Sequence, residues 1–269
     1  MSGPDDARRT VASNGIELAY VEEGDGDPLV LIMGLGADAS AWRLHLDAYR
    51  TRFRCIAVDN RGAGMSSAPP GPYSTAQLAD DYAGLIRGLG LGPVRVVGIS
   101  MGGAVAQELA LRHAQLVERV VLVSTWARCD AYTAEIFRQF AAVRPAVEPA
   151  VFTQLLQLWI WSPGYVARQL DALREDRHVL PEAPMSDDAF AAQCAACIAH
   201  DTADRLRDLR VPTLITVGAA DVFTPPRMAE ELHASIAGSR LEIFPGAGHA
   251  HHWEAVESFN RLTVEWLAQ

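Results

Sequence analysis

The sequence predicts an α/β fold: a mostly parallel central sheet covered by helices on both faces, with a helical cap inserted between the sixth and seventh core strands. Three observations predict it. Short apolar runs such as Leu29–Met33, Phe53–Val58 and Thr213–Val217 lack in-and-out alternation, so they read as strands buried on both faces. Helical patterns separate those runs in turn, the order that makes parallel neighbours through crossover connections. The alternation lapses between Ser124 and Thr213, where only helical patterns occur.

Each element has a local reason. Arg9–Ser13 and Ile16–Glu22 flank Asn14-Gly15, a hairpin signal because both residue types tolerate φ > 0. Ser40, a good N-cap residue, opens a helix that runs to about Thr51. The strand Phe53–Val58 ends in the polar, glycine-rich loop Asp59–Ser66. Thr75–Leu89 is a helix terminated by Gly90–Pro93. Val94–Ile99 is the next strand, Ala104–His113 a helix, and Arg119–Ser124 a strand. From Trp126 to Asp208 the helical patterns are broken at Pro145, Pro149, Pro163, Pro181 and Pro184. Thr213–Val217 (strand), Pro226–Ile236 (helix), Arg240–Phe244 (strand) and His252–Leu267 (helix) close the chain. Residues 1–125 and 209–269 thus form the core domain. Residues 126–208 form a helical cap, or lid, over the strand C-termini, the edge at which such sheets bind ligands.

Composition narrows the function. A chain of 269 residues, 49% apolar, can bury a full core, yet no segment is long and apolar enough to span a membrane. A net charge of −10 disfavours nucleic acids and anionic membranes as partners. All 23 basic residues are arginine, which excludes a lysine Schiff base or a P-loop lysine. The polar N-terminus lacks the basic start and apolar run of a signal peptide, so the expected location is cytoplasmic. The four cysteines are then expected as reduced thiols. Cys194-x-x-Cys197-x-x-His200 has the look of a metal or redox site, but it falls in a helical pattern and reads better as small buried residues. The expectation is no metal and no cofactor.

The chemistry centres on Gly98-Ile99-Ser100-Met101-Gly102, between a strand and a helix. A strand that turns sharply into a helix leaves no room for a Cβ at either glycine. It holds the serine at φ > 0, with its hydroxyl above the sheet edge and a helix N-terminus beneath it. The serine needs a base. Of eight histidines, His249 directly follows Gly246 and Gly248 in the loop leaving the last strand, with His251 as the alternative. The base needs an orienting acid, and Asp221 lies just past the strand Thr213–Val217, with Asp130 as the alternative. His251 and His252 beside His249 suggest part of a zinc site, but no second ligand cluster accompanies them.

The order Ser100…Asp221…His249 resembles that of the α/β-hydrolase superfamily. The resemblance covers essentially the whole chain. Asp59–Ser66, Pro69–Tyr73 and Gly98–Gly103 make it most similar to the 3-oxoadipate enol-lactonase and carboxylesterase-like branch. It implies an oxyanion hole made by the backbone N–H groups of Leu35 and Met101. Met33-Gly34 stands where many relatives have His-Gly, a change of side chain that leaves main-chain donors intact. The implied activity is hydrolysis of a small, partly apolar ester or lactone through an acyl-enzyme. Carbon–carbon bond hydrolysis, perhydrolysis on the same triad, and ligand reception on a hydrolase fold are the alternatives. Serine at the elbow, rather than aspartate, disfavours dehalogenase and epoxide hydrolase chemistry. Selectivity is expected from the bulky apolar residues of the cap, with Trp126, Leu155, Trp159 and Trp161 walling the pocket. Oligomeric state is not legible.

Overall fold

A computed structural model describes residues 8–177 and 183–269. Among these, eight strands form one sheet: β1 (Arg9–Ser13), β2 (Ile16–Glu23), β3 (Asp27–Ile32), β4 (Phe53–Val58), β5 (Val94–Ile99), β6 (Val117–Val123), β7 (Thr213–Gly218) and β8 (Arg240–Phe244). Their spatial order is β1-β2-β4-β3-β5-β6-β7-β8. β2 is antiparallel to both β1 and β4, and the pairs from β4 through β8 are parallel. From β3 the chain passes to β4 on one side, then crosses to β5 on the other. The loops leaving β3 and β5 therefore diverge, and a crevice opens above the two strand ends.

Helices α1 (Arg43–Tyr49), α2 (Thr75–Gly88), α3 (Met101–Arg112), α8 (Pro226–Ser235), α9 (His251–Glu254) and α10 (Val256–Leu267) cover the sheet. Two cores result. On one face Trp42, Tyr49 and Phe259 pack on Leu29, Leu31 and Val97; on the other Leu78, Tyr82 and Leu109 pack on Val30, Ile32 and Val96. The strands β3 to β7 supply residues to both cores, which is why their runs show no polar alternation. Between β6 and β7 lie α4 (Ala131–Val143), α5 (Pro149–Ile160), α6 (Pro163–Asp176) and α7 (Asp187–Ala199). Prolines 145, 149, 163 and 184 fall between or at the starts of these helices; Pro181 and His178 lie outside the described residues.

Two of the boundaries that differ from the sequence expectation have a clear local cause. Asp38, not Ser40, caps the segment after β3, its carboxylate accepting from the Ser40 amide at 2.8 Å, and a 3₁₀ turn (Ala39–Trp42) precedes α1. The final helix is two helices. Ala255 leaves helical geometry (φ −127°, ψ 43°), separating the short α9 from the long α10.

Candidate active site

Ser100 occupies the turn between β5 and α3 with φ 56° and ψ −117°, a backbone conformation that L-residues rarely adopt. The neighbouring glycines explain how it is held. A Cβ at Gly98 would lie 2.3 Å from the Gly102 carbonyl oxygen, and one at Gly102 would lie 2.1 Å from the Ile32 carbonyl oxygen. Only glycine lets strand, turn and neighbouring strand approach this closely. The Ser100 amide donates to the Val123 carbonyl at 2.8 Å, tying the turn to β6. α3 begins directly after the serine, and its Gly103 and Ala104 amides donate to the Ser100 carbonyl at 2.9 and 3.1 Å.

Asp221 follows β7 in the loop to α8 and is 3% exposed. It accepts at full capacity. Oδ1 receives the Phe223 amide at 2.9 Å and the Thr224 amide at 2.8 Å; Oδ2 receives the Thr224 hydroxyl at 2.8 Å and His249 Nδ1 at 2.9 Å. Burial pushes the carboxyl upward, but the His249 charge and hydrogen bond, with the Thr224 donors, hold it below the ordinary carboxylate value. The Thr224 oxygen also lies 3.0 Å from His249 Nδ1. A proton on Nδ1 thus faces two acceptors, and Nε2 is left bare. Asp130 sits elsewhere: it caps α4 through the Thr133 amide and pairs with Arg227.

The loop that carries Leu35 is pinned from both sides. Asn60 Nδ2 donates to the Met33 carbonyl at 2.9 Å, and Gln193 of α7 accepts the Gly36 amide at 3.0 Å while donating to the Arg61 carbonyl at 2.9 Å. Arg61 in turn makes a buried two-point pair with Asp81 at 2.8 and 2.6 Å. The Asp59–Ser66 loop is thus a brace for the β3 exit. Met101 is the first residue of α3, directly after Ser100, and Leu35 borders the cavity described next. Glu254 is a further brace. Its carboxylate accepts the Gly248 amide at 3.0 Å and the Ser162 amide and hydroxyl at 2.7 and 2.6 Å, joining the His249 loop to the start of α6.

Ser100 and His249 border one cavity of about 660 Å³, a volume suited to a small molecule. From the segment between β6 and β7 its lining includes Phe140, Phe152, Leu156 and Ile160, together with Arg144 and Arg177. The expected wall of Trp126, Leu155, Trp159 and Trp161 is corrected: none of the four borders the cavity. Trp126 is fully buried, tilted against Phe137 at 5.5 Å. Trp161 stacks on Tyr165 at 4.4 Å. Leu155 and Trp159 pack back on the core, and Trp159 supports the wall from behind through Phe140 and Phe223. The reason is visible in α5, which is apolar on several sides. The stripe 155-158-159 and the stripe 152-156-160 both have helical spacing, and tertiary packing turns the second toward the cavity.

The other described histidines make structural contacts. His113 pairs with Asp80 at 2.7 Å, and His233 lies 2.8 Å from the Ser239 hydroxyl. His251, the alternative base, is spent between the hydroxyls of Ser124 (3.1 Å) and Thr216 (3.0 Å). His45 bridges Asn260 and His252 at 2.6 and 3.1 Å, and His200 meets Thr75 at 2.9 Å. Cys194 and Cys197 are buried on α7, and burial pushes both thiols up, Cys194 to about 12. No group of three metal-capable side chains gathers among the described residues, and no helix among them is long and apolar enough to cross a membrane.

Those buried histidines predict an acid-labile fold. Burial pushes His45 and His200 down to about 4, His251 to about 3, and His252 well below its ordinary value. Below about pH 6.5 the unfolded chain binds protons that the native state refuses, so stability is lost as pH falls toward 4. Each such histidine contributes a slope of up to about 1.4 kcal/mol per pH unit. Urea denaturation at pH 7.5 and pH 5.2 should show a loss on the order of several kcal/mol, before most carboxylates titrate. Equal midpoints would mean that these rings are protonated in the native state.

The α/β hydrolase fold family model matches residues 27–256. Among curated relatives, a protein from Azorhizobium caulinodans provisionally named a carbamate hydrolase is 27% identical, over 94% of this chain and 96% of its own length. The 3-oxoadipate enol-lactonase 2 of Acinetobacter baylyi is 28% identical, over 93% of each chain. The crystal structure of the enol-lactonase from Burkholderia xenovorans LB400 superposes with a TM-score of 0.88 at 30% identity, covering 97% of this chain and 100% of that one. Sheet order, elbow and family match agree: this chain is a member of the α/β-hydrolase family and a hydrolytic enzyme.

Proposed function

We propose that the chain is a serine hydrolase of small carboxylic esters or lactones, with Ser100 as nucleophile, His249 as general base and Asp221 as orienting acid. The observation that carries this is the His249 Nδ1–Asp221 bond at 2.9 Å beside a cavity that Ser100 and His249 share. With Nδ1–H bound to the carboxylate, Nε2 is free to take the serine proton as the hydroxyl attacks a carbonyl. The Leu35 and Met101 amides receive the developing oxyanion, a contribution of about 3–4 kcal/mol per donor in comparable sites. His249 then protonates the leaving alkoxide, and the same ring activates the water that releases the acid. The relatives named for lactone and carbamate hydrolysis support an acyl-transfer reading on this fold. Residues 126–208 act as the cap that closes the cavity over Ser100.

The test is a panel of initial rates: p-nitrophenyl esters of rising chain length, simple lactones, carbamates, a ring-cleavage dienoate, and halide oxidation with peroxide and acetate. Ester or lactone turnover above the others supports the reading. Carbon–carbon cleavage or perhydrolysis as the dominant rate replaces it, and single-turnover hydrolysis with retained product points to a receptor.

The cavity wall makes a separate prediction. Leu156→Ala and Ile160→Ala should shift the acyl-length preference, each by about 1–3 kcal/mol in relative kcat/KM. Trp159→Ala removes a support behind the wall, so it should lower the melting temperature and affect short and long esters alike. A changed length profile in Trp159→Ala with unchanged profiles in the other two would reverse the assignment of faces.

A further inference from the structure

His252 borders the cavity but takes no part in the proposed proton transfers. His252 is 2% exposed and its Nδ1 lies 3.1 Å from His45 Nε2. The chain of contacts behind it fixes which of its nitrogens carries a proton. Asn260 Nδ2 donates to the Leu44 carbonyl at 3.1 Å, so Asn260 Oδ1 is the atom 2.6 Å from His45 Nδ1. Reversing that amide would set its oxygen against the Leu44 carbonyl, two acceptors face to face. His45 Nδ1 therefore carries the proton. His45 is buried and neutral, so its Nε2 is a bare acceptor, and His252 Nδ1 must donate to it. Burial holds His252 neutral. Its Nε2 is then an unprotonated lone pair. That atom has no hydrogen-bond partner among the described residues, yet it is not among their sealed, unpartnered polar atoms. His252 lines the cavity, so the cavity is the candidate source of a partner for that atom.

We infer that His252 Nε2 is a hydrogen-bond acceptor for the substrate, so that the preferred ester or lactone carries a hydroxyl or N–H donor near its scissile carbonyl. The inference rests on the hydrolase reading above. The cavity offers a donor-bearing substrate a fixed acceptor at little ordering cost, because Asn260, His45 and His252 are packed in place. A matched substrate that presents only an ether oxygen sets two lone pairs against each other, and the site rejects it. The proton relay ends at Asn260, whose amide cannot pass it on. His252 is thus an acceptor of fixed polarity and not a second base.

The experiment compares methyl esters of 2-, 3- and 4-hydroxybutyrate with their methoxy counterparts, in the wild type, His252→Phe and His252→Gln. The wild type should favour at least one hydroxy ester over its methoxy partner by about tenfold or more in kcat/KM. His252→Phe should bring that ratio close to one. His252→Gln, which can place a carbonyl oxygen near the lost Nε2, should restore part of it. Because His252→Phe leaves His45 unpaired, the ratio and not the absolute rate is the readout, and the glutamine variant serves if the phenylalanine variant misfolds. Turnover of all the esters with no hydroxyl preference overturns the inference alone. If none is turned over, the ester and lactone panel above decides the hydrolase reading, and calorimetric binding of the same pairs to Ser100→Ala decides the inference, a hydroxyl preference upholding it and equal affinities overturning it.

Discussion

Ser100→Ala should reduce kcat by about 10³-fold or more while leaving the melting temperature nearly unchanged. The two halves of this expectation have separate causes. The hydroxyl is the only nucleophile the elbow presents to the cavity, so its loss removes the acyl-enzyme route. The strain stays, because alanine at φ 56° is no easier to hold than serine. Ser100→Gly separates the two effects further. Glycine occupies that region freely, so this variant should be equally inactive but more stable, by about 1 kcal/mol. Matched activity and denaturation measurements on the three proteins test both halves. A fluorophosphonate probe should label the wild type at Ser100 and neither variant. Labelling of another serine, or full activity in Ser100→Ala, would remove the nucleophile assignment.

What the sequence made legible follows the range of the forces involved. The elbow was readable because its constraint is local: Gly98 and Gly102 are needed by contacts with each other and with the strand beside them. The strands were readable because two-sided burial writes an unbroken apolar run. Asp221 and His249 were placed by their positions after β7 and β8, although they stand 28 residues apart. Other parts had no local signal. Thr224 holds Asp221 through a turn that any Asp-x-x-Thr could make, and only the fold sets its hydroxyl against His249. Glu254 looks like an ordinary helix residue, and only the fold sets its carboxylate against the Gly248 amide of the His249 loop. His45 and His252 meet across 207 residues of chain. The cap face failed for another reason: α5 offers two apolar stripes of equal periodicity, and only its packing on Phe140 and Phe223 decides between them.

Asp221→Asn should lower kcat by about 10³- to 10⁴-fold without abolishing substrate binding. The hydrogen bonds around the carboxylate say why so conservative a change is so costly. Oδ1 accepts two backbone amides, Phe223 and Thr224, at 2.9 and 2.8 Å, and these donors cannot reverse. An asparagine must therefore keep its oxygen at that position and turn its NH₂ toward Thr224 and His249. The Thr224 hydroxyl can rotate to accept one of those hydrogens. His249 Nδ1 then faces a donor, so the ring proton moves to Nε2, the nitrogen that must be bare to take the Ser100 proton. The fold should survive, since every position around residue 221 still has a hydrogen-bond partner. Thr224→Val leaves the carboxylate facing Nδ1 and should cost far less in kcat. The discriminating measurement is the pair of variants side by side, with KM and melting temperature alongside kcat. A loss of kcat confined to Asp221→Asn assigns the acid through the tautomer it enforces. Near-wild-type turnover in Asp221→Asn would mean that His249 does not depend on this carboxylate as its orienting acid.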